Sequence, residues 1–395
     1  MPTTEEHFIR FVLEHQNEQA ERLLLAAGRW PEIDVRRAAR VIEARRKVRD
    51  KIPSWYARPE LDYPGRLPLE QCSSEIMARY KQTFVPQGGR IADLTGGLGV
   101  DCWFMSRKAA EAHYCEHNGE LCRTARHNFN LLEDRPGFRI TVHEGDGLAW
   151  LRAQSSRFDL LYLDPARRSK MAKRVYDIAD CEPDLLAVKA VLLEKAGRVL
   201  AKISPMADIA RTLSLFPETR ELHVAATGGE VKELLLLLET GNSGRPAPLI
   251  VADDDGRRFV FTPADEAAAE VRFADQVGAY LFQPSKALRK AGAFRLLSAR
   301  FDLAKLAPST HLYTADSPSD DFPGKCFEVE EVLDWSKEAQ RQLHRRFDRL
   351  EMTAINFPLA TEALRSRLGI AAGGQRHLFA TTLSDKRKIL IICRI

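Results

Sequence analysis

Through the middle of the chain, short apolar runs alternate with longer stretches of helical spacing. The runs are Ile91–Leu94, Ala112–Cys115, Arg139–Val142, Phe158–Leu163 and Arg198–Ile203, followed by Glu221–Ala225 and Leu234–Leu238. Runs this short, bounded by turn residues, predict buried strands. Amphipathic segments between them, such as Leu121–Leu131 and Asp184–Glu194, predict helices on both faces of a parallel sheet. Upstream, residues 1 to about 85 read as helical. Asp34 is a predicted N-cap, with Val35, Ala38, Ala39 and Ile42 at i, i+3, i+4 and i+7 behind it. Pro53, Pro59, Pro64 and Pro68 predict an extended linker from Ile52 onward, and Ser74 is a predicted cap for the helix after it.

Past a composition shift at Gly241–Pro248 the pattern turns to mixed short β and α segments. Asp253–Gly256 is a predicted hairpin turn, Tyr280–Ser285 a strand, Lys286–Leu297 a helix and Phe327–Val329 a strand. Lys337–Arg349 and Thr361–Leu368 are predicted helices ahead of a final apolar run, Ile389–Cys393. The expected division is residues 1–85, 86–245, 246–318 and 319–395.

Composition narrows the class. Hydrophobic residues at 45% and charged residues at 29% describe an ordinary soluble globular chain of 395 residues. The longest apolar run, Leu234–Leu238, is far too short to span a bilayer, and the acidic start (Glu5, Glu6) lacks the pattern of a signal peptide. Seven cysteines without a C-x-x-C pair read as free thiols in a reducing cytoplasm. The ten histidines lack ligand spacing and the Asp253–Asp255 triplet reads as a turn, so no metal is expected. Nothing in the sequence sets the oligomeric state. Charge is concentrated at the ends: between Arg36 and Lys51 eight basic residues face Glu43 and Asp50, and from Lys337 onward twelve face five acids. Basic ends around a near-neutral middle suggest a polyanionic partner, most simply nucleic acid, with solvated helix faces as the alternative.

The chemistry centres on Arg90–Asp101, where a strand breaks into Thr95-Gly96-Gly97-Leu98-Gly99 and a helix follows. That layout sets a nucleotide-like ligand over a strand end. The spacing is not G-x-G-x-x-G, and Asp93 at the strand end would repel a pyrophosphate but hold the ammonium of an amino-acid moiety. Glu116 ends the next strand 23 residues later, where a carboxylate can grip two ribose hydroxyls. Asp146 follows the third strand, and Asp164-Pro165-Ala166-Arg167-Arg168 follows the fourth. Three acids at the ends of three successive strands are hard to read as unrelated surface residues.

Asp93–Gly99 resembles the first motif of class I methyltransferases. The resemblance implies S-adenosyl-L-methionine as cofactor, held by Asp93, Thr95, Gly96, Gly97, Gly99, Glu116 and Asp146, the last accepting from the adenine amino group. It places the reaction centre at Asp164 and Pro165, the acid orienting the nucleophile. Amino-methylating relatives carry a second proline and an aromatic where this chain has Ala166 and Arg167. Arg167 could stack on a base or hold a phosphate, and Arg168, Lys170 and Lys173 give the following loop a basic character suited to a phosphate backbone. Gln71–Glu75, Leu163–Arg168, Lys202–Met206, Lys290–Phe294 and His311–Thr314 together resemble a bacterial family over nearly the whole chain. In it a seven-stranded class I methyltransferase domain is followed by a ferredoxin-like segment and a THUMP-like domain. True THUMP domains bind RNA in tRNA-modifying enzymes, so the resemblance implies RNA (tRNA or rRNA) as substrate.

The leading expectation is an RNA methyltransferase acting on a base nitrogen, with Asp164, Pro165, Arg167 and Lys202 at the reaction centre. Arg45, Arg46, Arg345 and Arg346 join Arg168, Lys170 and Lys173 on the RNA. C5 chemistry lacks a suitably placed thiolate, since Ser204-Pro205 stands where one would be needed. Ribose 2′-O-methylation, using Lys202, is the alternative. A catalytically silent binder of RNA or cofactor stays open, as does a small-molecule or protein substrate.

Overall fold

The computed structural model describes residues 4–167, 181–240 and 247–394, and the chain divides into two compact units. The first comprises residues up to 220 together with 235–244. Its centre is a run of parallel strands: β1 (Gly89–Asp93), β2 (Ala109–Glu116), β3 (Ile140–Glu144), β4 (Phe158–Leu163) and β5 (Ala196–Ile203). Two further strands, β6 (Thr219–Thr227) and β7 (Glu230–Glu239), are shared between the units. Within the first unit the order is β3–β2–β1–β4–β5–β7. Because β4 is covered on both faces it reads as the continuous run Phe-Asp-Leu-Leu-Tyr-Leu, buried at every position but Asp159. The five leucines of β7 are likewise buried.

Four helices position the site. In α1 (Val35–Lys51) the Asp34 side chain accepts from Arg37 N–H at 3.0 Å, as the cap reading expects. Ser74 caps α2 (Glu75–Gln82) through Met77 N–H, and α3 (Val100–Ser106) and α4 (Gly119–Leu132) follow β1 and β2. The expected extended linker after Ile52 is a correction. Two short helices form there, Pro53–Tyr56 and Arg66–Gln71. Pro53 sits in the first turn, where no N–H is required, and Pro68 is tolerated in the same way. Trp55 and Tyr63 from this stretch are wholly buried against Leu98, Val100 and Phe129. Apolar burial, rather than proline count, decides the segment.

The second unit holds residues 221–234 and 245–395. Within it β6 pairs with β8 (Leu249–Asp254), which forms a hairpin with β9 (Arg257–Phe261) around the predicted Asp-Gly turn. A separate seven-stranded sheet contains β10 (Tyr280–Pro284), β11 (Ala304–Ala307), β12 (Thr310–Ala315), β13 (Gly324–Asp334), β14 (Glu351–Ala354), β15 (Arg376–Thr382) and β16 (Lys388–Arg394). Its order is β11–β12–β10–β13–β16–β15–β14. The expected helix at Lys286–Leu297 is two pieces, Lys286–Ala291 and Arg295–Arg300, and the basic helix ends at Arg346. All seven cysteines are free thiols. No helix among the described residues is long and apolar enough to cross a membrane.

Candidate functional site

The loops leaving β1, β2, β3 and β4 are tied to one another by backbone bonds. Leu94 N–H donates to Tyr162 O at 3.0 Å, Gly96 N–H to Cys115 O at 2.9 Å and Gly145 N–H to Glu116 O at 2.9 Å. Asp164 N–H closes the set on Thr95 Oγ at 2.7 Å. Asp93, Thr95, Gly96, Gly97, Gly99, Glu116 and Asp164 are therefore brought together at one edge of the sheet.

The glycine turn is shaped by an aromatic floor. A Cβ on Gly96 would stand 2.1 Å from the Tyr114 ring, and Gly99 takes φ +87°, which L side chains rarely adopt. Tyr114 holds the turn from below, its hydroxyl donating to Gly97 O at 2.5 Å. The Glu116 carboxylate accepts from Gly97 N–H at 2.9 Å and Asn118 N–H at 2.8 Å. His117 Nδ1 also lies 3.1 Å from Oε1, so Oε2, with one donor, is the oxygen that keeps a lone pair for a hydroxyl. Asp93 is 1% exposed and takes one N–H, from Thr95 at 3.0 Å. Burial, with the nearby Asp101, Asp164 and Glu116 carboxylates, pushes its pKa well above the usual carboxylate range. An opposite charge brought against this carboxyl would favour its ionised form. Asp146 is exposed and caps the helix Gly147–Arg152 through Oδ1, accepting from Leu148 N–H at 2.7 Å. It borders a cleft of about 500 Å³ lined by Cys115, Val142–Asp146, Ala149 and Trp150.

At the position expected for the reaction centre, Asp164 Oδ2 accepts from Lys202 Nζ at 2.6 Å, joining the ends of β4 and β5. Both side chains are part-exposed. Pro165 follows, half-buried, and Arg167 pairs through its backbone with Cys181 in a two-residue ladder. Arg168, Lys170 and Lys173 lie outside the described residues.

Sequence reasoning missed the layer beneath. Asp101, in the first turn of α3, accepts from Ser73 Oγ at 2.8 Å, Tyr162 OH at 2.9 Å and Lys81 Nζ at 3.1 Å. Lys81, wholly buried, also reaches Ser73 Oγ at 2.7 Å. Burial alone would raise the Asp101 pKa, but the Lys81 and Lys202 ammoniums outweigh it and hold the group ionised. Asp101 ends the Arg90–Asp101 stretch, so an acid facing inward two residues after Gly99 was a usable signal. Lys81 offered none, standing in an ordinary helical run.

The basic ends require a correction. Arg45 is 4% exposed, with its guanidinium 4.6 Å from the Tyr56 ring, so it is not on an RNA-facing surface. Arg46 is exposed but donates to the carbonyls of Gln16 and Glu18. Arg37, Arg40 and Lys47 pair with Glu5, Glu120 and Glu70, and Lys51 donates to Leu69 O and Glu70 O. The N-terminal charge largely ties helices together. In the second unit Arg346 meets Glu331 at 2.6 Å, while the exposed Arg345 reaches Glu338 only at 3.5 Å.

Comparisons with known proteins agree with this architecture. Residues 280–323 match a ferredoxin-like domain model and residues 324–395 a THUMP domain-like model. A candidate methyltransferase from Porphyromonas gingivalis W83 is 35% identical, covers 98% of this chain and 97% of its own, and overlays with a TM-score of 0.89. A candidate methyltransferase from Streptococcus mutans in complex with SAH matches at 12% identity over 44% of this chain and 98% of its own, TM-score 0.31. M. capricolum TrmK with S-adenosyl-homocysteine matches at 11% over 41% and 67%, TM-score 0.32. At such values the latter two carry no argument. No curated protein matches. The sheet and its acid-lined glycine turn are those of a class I methyltransferase. The chain belongs to the bacterial family of that class whose members carry a ferredoxin-like segment and a THUMP-like domain.

Proposed function

We propose that the protein is an S-adenosyl-L-methionine-dependent methyltransferase acting on RNA, tRNA or rRNA, at a base nitrogen. The observation that carries the reading is the Asp164–Lys202 contact at 2.6 Å, hydrogen-bonded through Asp164 N–H to Thr95 of the glycine turn. It sets an acid and a cation beside the cofactor cradle. The cofactor, when bound, supplies a methyl group on a sulfonium that is its own leaving group. Asp93 would face its ammonium, Glu116 its ribose hydroxyls and Asp146 its adenine amino group. Lys202 anchors Asp164 Oδ2 and leaves Oδ1 to accept an N–H of the target base, so that the nucleophile is aligned by position. The THUMP-like match supports RNA. With Arg37, Arg45 and Arg46 engaged within the fold, the RNA reading rests mainly on the C-terminal segment and its exposed Arg345.

The same contact favours a second reading, ribose 2′-O-methylation, in which Lys202 would lower the hydroxyl pKa. Both are tested by transfer of labelled methyl from S-adenosylmethionine to size-fractionated RNA from cells lacking the protein. Incorporation into a tRNA- or rRNA-sized band, lost in Asp164→Ala, is expected. Digestion to nucleosides then separates a methylated base from a methylated ribose. No incorporation despite cofactor binding would overturn the RNA reading.

A further inference from the structure

Tyr162 is bonded to both sides of the glycine turn. Its carbonyl accepts from Leu94 N–H at 3.0 Å, just before the turn, and its hydroxyl donates to Asp101 Oδ2 at 2.9 Å, just after it. Two residues further on, Asp164 N–H meets Thr95 Oγ inside the turn at 2.7 Å. The exit of β4 is thus stitched to the cofactor cradle at Leu94, Thr95 and Asp101. The neighbouring strand keeps the same register. Tyr162 stands opposite Leu200 and Leu163 opposite Ala201, so Asp164 falls beside Lys202, which it holds at 2.6 Å.

Charge fixes the Tyr162 hydroxyl in turn. Asp101, held ionised against burial by the Lys81 and Lys202 ammoniums, can only accept, so the phenol must donate and its O–H direction is set. Asp101 also accepts from Ser73 Oγ at 2.8 Å and Lys81 Nζ at 3.1 Å. The Lys81 ammonium lies 5.7 Å from the centre of the Tyr162 ring as well. Ser73 and Lys81 both precede β1 in the chain, and both are anchored. Ser73 follows a helix end whose Leu69 and Glu70 carbonyls accept from Lys51 Nζ at 2.8 and 2.9 Å. Lys81 stands on α2, where the Glu75 carboxylate accepts from Ser54 N–H at 2.8 Å. Charge-assisted bonds joined in a network are strong and hold their geometry.

We propose that Tyr162, Asp101 and Lys81 are positioning residues for methyl transfer, locking Asp164 in register with the glycine turn so that bound cofactor and target meet in line. The inference rests on the methyltransferase reading above. It gives the segment before β1 a part in the reaction, since that segment supplies Lys81 and Ser73 beneath the site. The three residues act through Asp164 and not on the methyl group itself. In-line displacement is sensitive to such support, because a misplacement of about 1 Å can cost about 10²-fold in rate.

Tyr162→Phe keeps the buried ring and deletes the bond to Asp101. Single-turnover transfer of labelled methyl to the RNA fraction, per folded molecule, is expected to slow about tenfold. Affinity for S-adenosylhomocysteine and the half-saturating RNA concentration are expected to stay at the wild-type values. Ser73→Ala removes a bond to Asp101 that lies off the path to Asp164, and should slow transfer less. Combining Tyr162→Phe with Asp101→Asn should be no slower than the slower single variant. In the full chain, NMR should show faster hydrogen exchange at the Asp164 amide in Tyr162→Phe. Wild-type transfer in Tyr162→Phe, losses that multiply in the double variant, or an equal loss in Ser73→Ala overturns the positioning role. So does a fall in S-adenosylhomocysteine affinity that matches the fall in rate, since the residues would then only build the cradle. Asp164 exchange unmoved by Tyr162→Phe overturns the link without reference to any substrate. Absence of transfer by the wild type, with the exchange response present, overturns the reading of methyl transfer to RNA instead.

Discussion

The Lys81 ammonium lies 3.1 Å from the Asp101 carboxylate, and the lysine is wholly withdrawn from solvent. Through Ser73 and Tyr162 the pair links the segment before β1, the first turn of α3 and β4, the strand that leads into Asp164. Removing one partner leaves the other charged in a low-dielectric interior. We expect Lys81→Met to lower the unfolding free energy by about 3–5 kcal/mol, and the double variant Lys81→Met/Asp101→Leu to lose markedly less. Denaturant midpoints of the wild type, Lys81→Met, Asp101→Leu and the double variant measure this. Additive losses would mean that the two charges do not stabilise one another.

Lys202 distinguishes the two chemistries proposed for the site. If it only anchors Asp164 during base methylation, Lys202→Met should slow transfer about tenfold and leave the pH profile unchanged, the loss being one charge-assisted hydrogen bond. If it depresses a ribose hydroxyl pKa, the loss should reach about 10²–10⁴-fold and the alkaline limb of the profile should move. Single-turnover rates across pH decide between them. We expect the smaller effect.

The site residues that could be read from the sequence are those whose position follows from local pattern. A carboxylate at or just past the end of a short apolar run declares itself, as Asp93, Glu116 and Asp164 did, because strand ends and turns are written within a few residues. The segment from Ile52 to Pro68 did not, since its helices are short, carry prolines, and are settled by burial of Trp55 and Tyr63 far along the chain from their partners. The arginines of α1 misled for the same reason. Their charge is local information, but their partners Glu5, Glu70 and Glu120 are known only once the helices pack. Lys81 is the extreme case, a lysine whose burial no window of sequence reveals.

Gly96 has no room for a side chain. A Cβ there meets the Tyr114 ring at 2.1 Å, so Gly96→Ala must displace either the ring or the turn. Overpacking of this kind costs about 1–3 kcal/mol, and here it falls on the cofactor cradle. Binding of S-adenosylhomocysteine should weaken about tenfold or more by calorimetry. Gly197→Ala, whose Cβ meets only Asp159 O at 3.8 Å, serves as the control and should bind normally. Equal affinity in both would show that the turn yields without consequence.

Asp93 links stability to pH. Burial first, then the like charges of Asp101, Asp164 and Glu116, raise its folded-state pKa well above the unfolded value. The folded state therefore holds a proton that the unfolded state releases as pH rises above about 4. The wild-type chain loses stability from that point until Asp93 ionises in the fold. Asp93→Asn removes this loss and keeps an oxygen for Thr95 N–H. Its melting temperature should equal that of the wild type near pH 4 and exceed it increasingly toward neutrality, while S-adenosylhomocysteine binding falls. A stability difference independent of pH would show that Asp93 keeps its ordinary acidity.

Arg45 tests how the N-terminal charge is used. Its Nε and Nη1 are buried without hydrogen-bond partners, and its named contact is the Tyr56 ring at 4.6 Å. Replacing an unpaired buried charge with an apolar side chain of similar length removes a desolvation cost, against the loss of a cation–π contact of about 0.5–2 kcal/mol. Arg45→Met should therefore match or exceed the wild type in unfolding free energy. RNA affinity should be unchanged, because the guanidinium has no path to a phosphate. Arg345→Gln, on an exposed face of the second unit, should instead weaken RNA binding and lower its salt slope. Reduced RNA affinity in Arg45→Met, with stability intact, would return α1 to the RNA-binding surface and shift the partner-facing charge to the first unit.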